Sequence, residues 1–107
     1  MKRIGFLLKV KPEKLDEYKS IHANVWPEML AALRRCGWHN YSLFLRKDGS
    51  LFGYFETPGD LQTAVAAMGK EEINQKWQDM MAPFFESPDG AHADEILIRL
   101  EEVFHTD

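Results

Sequence analysis

The chain has 107 residues, with 13 Lys or Arg against 17 Asp or Glu and a formal charge of −4. That length supports one core and one domain, spanning 1–107. The acidic balance argues against a nucleic-acid partner, which asks for a basic patch. No run reaches the ~18 apolar residues of a membrane helix, so no membrane association is expected. A single cysteine, Cys36, excludes an intramolecular disulfide framework and suits a reducing cytoplasm.

Lys2 to Lys11 alternates Ile4, Phe6, Leu8 and Val10 against Arg3, Gly5, Leu7 and Lys9. This is a strand with one face buried. Lys9 and Lys11 cut its apolar run too short for a secretory leader, and no small-residue cleavage site comes after it. Pro12 and Glu13 open a helix whose apolar stripe runs Leu15, Tyr18, His22, Val25 or Trp26, Met29, Leu33 and Cys36. Pro27 removes a hydrogen bond and crowds the preceding turn, so the helix kinks or restarts near Asn24–Trp26. Gly37 stops it. His39–Arg46 and Leu51–Glu56 form a hairpin around Asp48-Gly49. Thr57–Asp60 is a loop that supplies a helix cap, and Leu61–Met68 is a short helix closed by Gly69. Glu71 to about Glu86 reads as another helix, with Ile73, Trp77, Met80 or Met81, and Phe84 on one side and an early bend or end at Pro83. Ser87–Gly90 is a turn, and Glu95–Phe104 a last strand carrying Ile96, Ile98, Leu100 and Phe104.

The order β-α-β-β-α-β, with the second helical region split, is an α+β ferredoxin-like arrangement: an antiparallel sheet with its helices on one face. Leu7, Leu97 and Val103 fall on the alternate parity of their strands, so the second sheet face is not purely polar. A contiguous apolar face is a liability in a monomer. Sheet-to-sheet packing of two copies about a twofold axis, a homodimer, is the simplest cover.

The chemistry concentrates in Tyr18-x3-His22-x3-Trp26-Pro27-Glu28 and in His39-Asn40-Tyr41. At about 100° per residue, positions four apart share a helix face, so Tyr18 and His22 point the same way. His22 admits two readings. One is a buried histidine bonded to a backbone carbonyl; the other is a proton-transfer group, suited by its ordinary pKa of about 6.5. Tyr18 and Tyr41 are core aromatics or phenols that orient hydroxyls. Trp77 lies on a helix covering the same sheet face and can offer a flat ring to a sugar. Trp26 and Trp38 read as packing, and Glu56 as a solvent-facing strand end. His39, His92 and His105 lack partners at ligand spacing. With no HExxH and no Cys-His set, no metal is called for. No GxGxxG, P-loop or GxSxG appears either, so no nucleotide or serine-hydrolase chemistry is indicated and no cofactor is expected.

Taken together, Glu17-Tyr18, His22, Trp26-Pro27-Glu28, His39-Asn40-Tyr41, Leu51-Phe52, Gln75, Trp77 and Glu102-Val103-Phe104 resemble the L-rhamnose mutarotase family, nearly end to end. The resemblance implies a ferredoxin-like dimeric α/β-barrel isomerase acting on a monosaccharide, with His22 as proton donor and Tyr18 and Tyr41 against the sugar. It also implies that the family's substrate-binding tryptophan pair corresponds here to Trp77-Gln78, one ring being replaced by an amide. The resemblance implies exchange of α and β anomers with L-rhamnose as the family's default sugar, and that departure keeps L-fucose or another deoxy-aldose open. Two other classes compete on the residues alone. One is a cofactor-free or haem-degrading monooxygenase of the same barrel, using His22, Asn24 and Trp26. The other is a non-catalytic dimeric sugar-binding module.

Overall fold

The computed structural model describes residues 1–87 and 91–107. Four antiparallel strands, β1 (Lys2–Lys9), β2 (His39–Leu45), β3 (Ser50–Thr57) and β4 (Ile98–Leu100), make one sheet in the order β2-β3-β1-β4. That order, with the intervening helices on one face, is ferredoxin-like. In β1, Ile4 and Phe6 face the helices and are fully buried, as the alternation requires. Phe6 pairs with Gly53, and a Cβ at Gly53 would lie 2.2 Å from the Phe6 ring. Gly53 is what lets that ring lie flat across β3.

Pro12–Lys14 forms a 3-10 turn that leads into α1 (Leu15–His22). Pro27 does not kink one long helix; it starts a second, α2 (Pro27–Arg35), as its first residue. The residue before a proline is pushed out of the helical region, and Trp26 sits at φ −55°, ψ 134°. At the other end of α2, Gly37 adopts φ +87°, its amide donates to Arg34 O at 3.2 Å, and Trp38 N donates to Leu33 O at 2.8 Å. That pair of bonds is a Schellman stop, and it aims the chain into β2.

Asp48 and Gly49 turn the hairpin, Gly49 at φ +94°. The Asp60 carboxylate accepts from Thr63 N at 2.8 Å and caps α3 (Leu61–Gly69). Next, α4 (Glu72–Met81) gives way at Pro83 to a 3-10 turn, Ala82–Phe84. Of the expected Ser87–Gly90 turn, residues 88–90 lie outside the described residues.

The C-terminal expectation needs correction. Ala93–Ile96 is a one-turn helix, α5, and pairing with β1 is confined to Ile98–Leu100 opposite Gly5–Leu7. The local reason is a cap: the Glu95 carboxylate accepts from His92 N at 3.0 Å and bends the chain into a turn. The helix resets the parity of the strand after it. Leu97 packs toward the core and Ile98 points out beside Leu7, the reverse of the alternation read from the sequence. Beyond Leu100 the chain leaves the sheet, held by Arg3, whose guanidinium donates to both Glu102 carboxylate oxygens at 2.7 and 2.9 Å.

The core lies between sheet and helices. Ile4, Phe6, Val10, Leu51, Phe55, Ala32, Met68, Met81 and Phe85 are buried there. The other sheet face carries Phe44, Phe52, Leu7 and Ile98 side by side across β2, β3, β1 and β4, all exposed.

Candidate active site

A cavity of about 340 Å³ opens between the helices and the β2 side of the sheet, within the size range of small-molecule sites. His22 enters it from the last position of α1, and Val25, Met29, Leu30 and Leu33 from the α1–α2 junction and α2. Trp38, Tyr41 and Leu43 come from β2 and its approach, Met68 from α3, Asn74, Trp77 and Gln78 from α4, and Asp94 from α5. Greasy walls with a few convergent polar groups are what a small polar ring with an apolar face requires.

Local structure explains how the polar groups arrive. Asn40 takes φ +49°, where pairing with β3 is irregular between His39 and Ser42, a bulge that swings Tyr41 inward. Asn40 Nδ2 donates to Glu56 Oε1 at 3.0 Å, and the Tyr54 hydroxyl to Glu56 Oε2 at 2.7 Å. Those bonds hold the Glu56 carboxyl below its usual range, outside the cavity lining.

One turn apart on α1, the Tyr18 and His22 rings stack with centroids 4.1 Å apart and planes 24° from parallel. Trp77 meets the His22 ring edge-on at 5.4 Å, and Trp26 meets Trp77 edge-on at 5.0 Å. The imidazole is therefore held on two sides. Its Nδ1 lies 2.9 Å from Tyr18 O. A carbonyl oxygen only accepts, so Nδ1 carries the hydrogen and Nε2 keeps the free lone pair. Burial lowers the His22 pKa below 6.5, partly offset by the Tyr18 carbonyl. At neutral pH the ring is uncharged. Burial, and secondarily the nearby Tyr41 phenol, raises the Tyr18 pKa far above the phenol range; burial does the same for Tyr41. Both phenols stay protonated, able to donate.

Four of the five residues singled out from the sequence, His22, Tyr41, Trp77 and Gln78, thus line one cavity. Tyr18 is buried against the back of the imidazole and is not among the lining residues. Trp38 does line the cavity, while its face stacks on Phe55 at 3.9 Å and its Nε1 donates to Ala64 O at 3.1 Å. Asn24 is exposed and outside the lining, so the His22, Asn24 and Trp26 grouping does not assemble.

Sequence reasoning missed Asn74 and Asp94. Asn74 is one turn before Trp77 and Gln78, a spacing of three and four that shares their helix face, and that signal was there to use. Asp94 was hidden because a four-residue helix has no periodicity to read. His92, Asp94 and Glu95 come within 4.8 Å of one another. However, His92 Nε2 is 2.8 Å from Asp79 Oδ1 and Glu95 caps α5, so two of the three are already engaged.

A ferredoxin-like domain with a neutral, oriented histidine in a half-greasy cavity defines a small-molecule site suited to proton transfer. Comparison with known proteins narrows this further. The family model described as L-rhamnose mutarotase matches residues 3–106. An L-rhamnose mutarotase from Oceanobacillus iheyensis is 42% identical over the full length of both chains, and one from Bacillus subtilis is 36% identical over the same span. The crystal structure of an L-rhamnose mutarotase from Formosa agariphila superposes with a TM-score of 0.81 at 31% identity, covering both chains completely. The chain belongs to the L-rhamnose mutarotase family.

Proposed function

We propose that the protein interconverts the α and β anomers of L-rhamnose, an isomerase acting without cofactor or metal. The observation that carries this reading is His22, its Nδ1 fixed by Tyr18 O and its ring edged by Trp77, in a cavity of monosaccharide scale. Anomer exchange asks that O1 lose a proton while the ring oxygen gains one. His22 Nε2 takes the O1 proton, the C1–O5 bond breaks, and the imidazolium returns that proton to O5. The open aldehyde rotates about C1–C2 and closes on its other face by the reverse steps. One nitrogen serves as base and then as donor, because O1 and O5 share a carbon. His22 is the proton donor to the ring oxygen, but the proton it gives is one it has just taken.

The Tyr41 hydroxyl donates to a sugar oxygen, and Trp77 offers its ring to the sugar's C–H face. Tyr18 acts mainly from behind, backing the imidazole and fixing its tautomer. Gln78 borders the sugar. Such acid–base help contributes ~10²–10⁴-fold. NMR saturation transfer between anomers, with and without protein, tests the reading across L-rhamnose, L-fucose and other aldoses.

The same reading makes the protein a homodimer of the reducing cytoplasm. Support for the dimer is the row Phe44, Phe52, Leu7 and Ile98, with Phe44 and Ile98 60% and 62% exposed. Val103 and Phe104, exposed in the C-terminal segment, add to the apolar surface needing cover. A second copy laid on this face covers it by twofold symmetry. Support for the compartment is the lone cysteine, Cys36, a free thiol that suits a reducing environment. No described helix is long and apolar enough to cross a membrane.

A further inference from the structure

The apolar and polar parts of the cavity lining come from different elements. Val25, Met29, Leu30 and Leu33 line it from the α2 side, while Asn74, Gln78 and Asp94 line it from α4 and α5. Those three are joined in a chain. Ala93 N donates to Gln78 Oε1 at 3.2 Å, Gln78 Nε2 donates to Asn74 Oδ1 at 3.3 Å, and Asn74 Nδ2 donates to Met68 O at 3.1 Å. The same Nδ2 lies 3.5 Å from Asp94 Oδ2.

Counting donors and acceptors shows what is left over. Asn74 is 1% exposed and spends both N–H groups on Met68 O and Asp94. Gln78 Nε2 makes one hydrogen bond among the described residues, which leaves its second N–H without a partner there. The Asp94 carboxylate is short of donors: the long contact from Asn74 is its sole side-chain bond among the described residues, and no ion pair there includes it. A half-buried carboxylate in that condition accepts strongly from any hydroxyl brought to it. An aldopyranose brings several. His22 and Tyr41 can serve the oxygens at and near C1, but hydroxyls farther round the ring lose their water and need other partners.

Resting on the mutarotase reading, we propose that Asp94 and Gln78, positioned by Asn74, are the specificity-determining groups. Asp94 accepts from two neighbouring sugar hydroxyls and Gln78 donates to one of them, while the deoxy carbon lies against the apolar side chains of α2. Asn74 is a positioning residue. The ligand class is an aldose with a vicinal diol remote from C1, and α5 supplies the group that reads it.

The test pairs a variant with a substrate change. Sugar titrations by NMR shift and anomer-exchange kinetics are run on wild type, Asp94→Asn and the neighbouring control Glu95→Gln. The ligands are L-rhamnose and its 3-deoxy counterpart. Wild type should prefer L-rhamnose by about tenfold or more, the worth of a charge-assisted hydrogen bond. In Asp94→Asn the Kd and KM for L-rhamnose should rise about tenfold with kcat changed less than twofold, and the preference over the 3-deoxy sugar should collapse. Glu95→Gln should match wild type. Equal losses for both sugars, or an unchanged KM in Asp94→Asn, overturn the proposal, the first by making Asp94 merely structural. If wild type binds the sugars but speeds no exchange, the mutarotase reading fails. The binding preference and its loss in Asp94→Asn still decide the subsite.

Discussion

The two faces of the sheet are built from similar residues and meet different fates. Toward the helices, Ile4, Phe6, Leu51 and Phe55 are buried to 1% exposure or less. Toward the outside, Leu7, Phe44, Phe52 and Ile98 stand in register and uncovered. Helices cover the inner face incompletely and leave the cavity that His22, Tyr41 and Trp77 line. The outer row is apolar and holds no titratable group, while Arg3, Tyr54 and Glu56 lie farther along the same face. On the proposed reading, chemistry and assembly occupy opposite sides of one sheet, and a change on one side should leave the other intact.

The largest effect expected from the inner side is loss of catalysis. His22→Ala should cost ~10²–10⁴-fold in anomer exchange, with circular dichroism and sedimentation unchanged. A change in mass would show that the two faces are coupled after all. On the outer side, Phe52→Glu should halve the solution mass seen by sedimentation, because the proposed dimer would then hold a charge between two apolar faces, while sugar titrations stay near wild type.

Gly53→Ala attacks the sheet between the two faces. The added carbon meets the Phe6 ring, and overpacking of this kind costs about 1–3 kcal/mol in chemical denaturation. Because Phe6 lies beside Tyr41 at 6.3 Å, some loss of sugar affinity should accompany it. Asp60→Ala removes the α3 cap and should cost about 1 kcal/mol without touching either function.

Acidity separates the faces in another way. Because burial depresses the His22 pKa, the folded state resists a proton that the unfolded state accepts. Stability from this group is present above pH 6.5 and is lost as pH falls through the depressed value. Exchange should move in the same direction: full with neutral His22 and declining on acidification. A rate that rises as pH drops would mean that His22 starts protonated.

Much of this was legible in the sequence. Alternation in Ile4, Phe6, Leu8 and Val10 and the stops at Pro27, Gly37 and Pro83 gave the element order, hence the ferredoxin-like sheet. The Tyr18–His22 spacing put the two side chains on one face, where their rings stack, and the buried-histidine reading was right about the carbonyl bond. The C-terminal region was read less well. A one-turn helix flipped the parity of Ile98, because a local cap at His92–Glu95 outweighed strand propensity. The Asn40 bulge was unreadable for a related reason: a single left-handed residue leaves no pattern, yet it sets where Tyr41 points.

The measurement closest to the central claim is saturation transfer between the α and β anomers of L-rhamnose, at neutral pH, with wild type and His22→Ala side by side. Exchange should be strongly accelerated by wild type and return almost to the uncatalysed rate in the variant. Exchange at the uncatalysed rate in both would contradict the mutarotase reading, and equal acceleration by both would take the proton transfer away from His22.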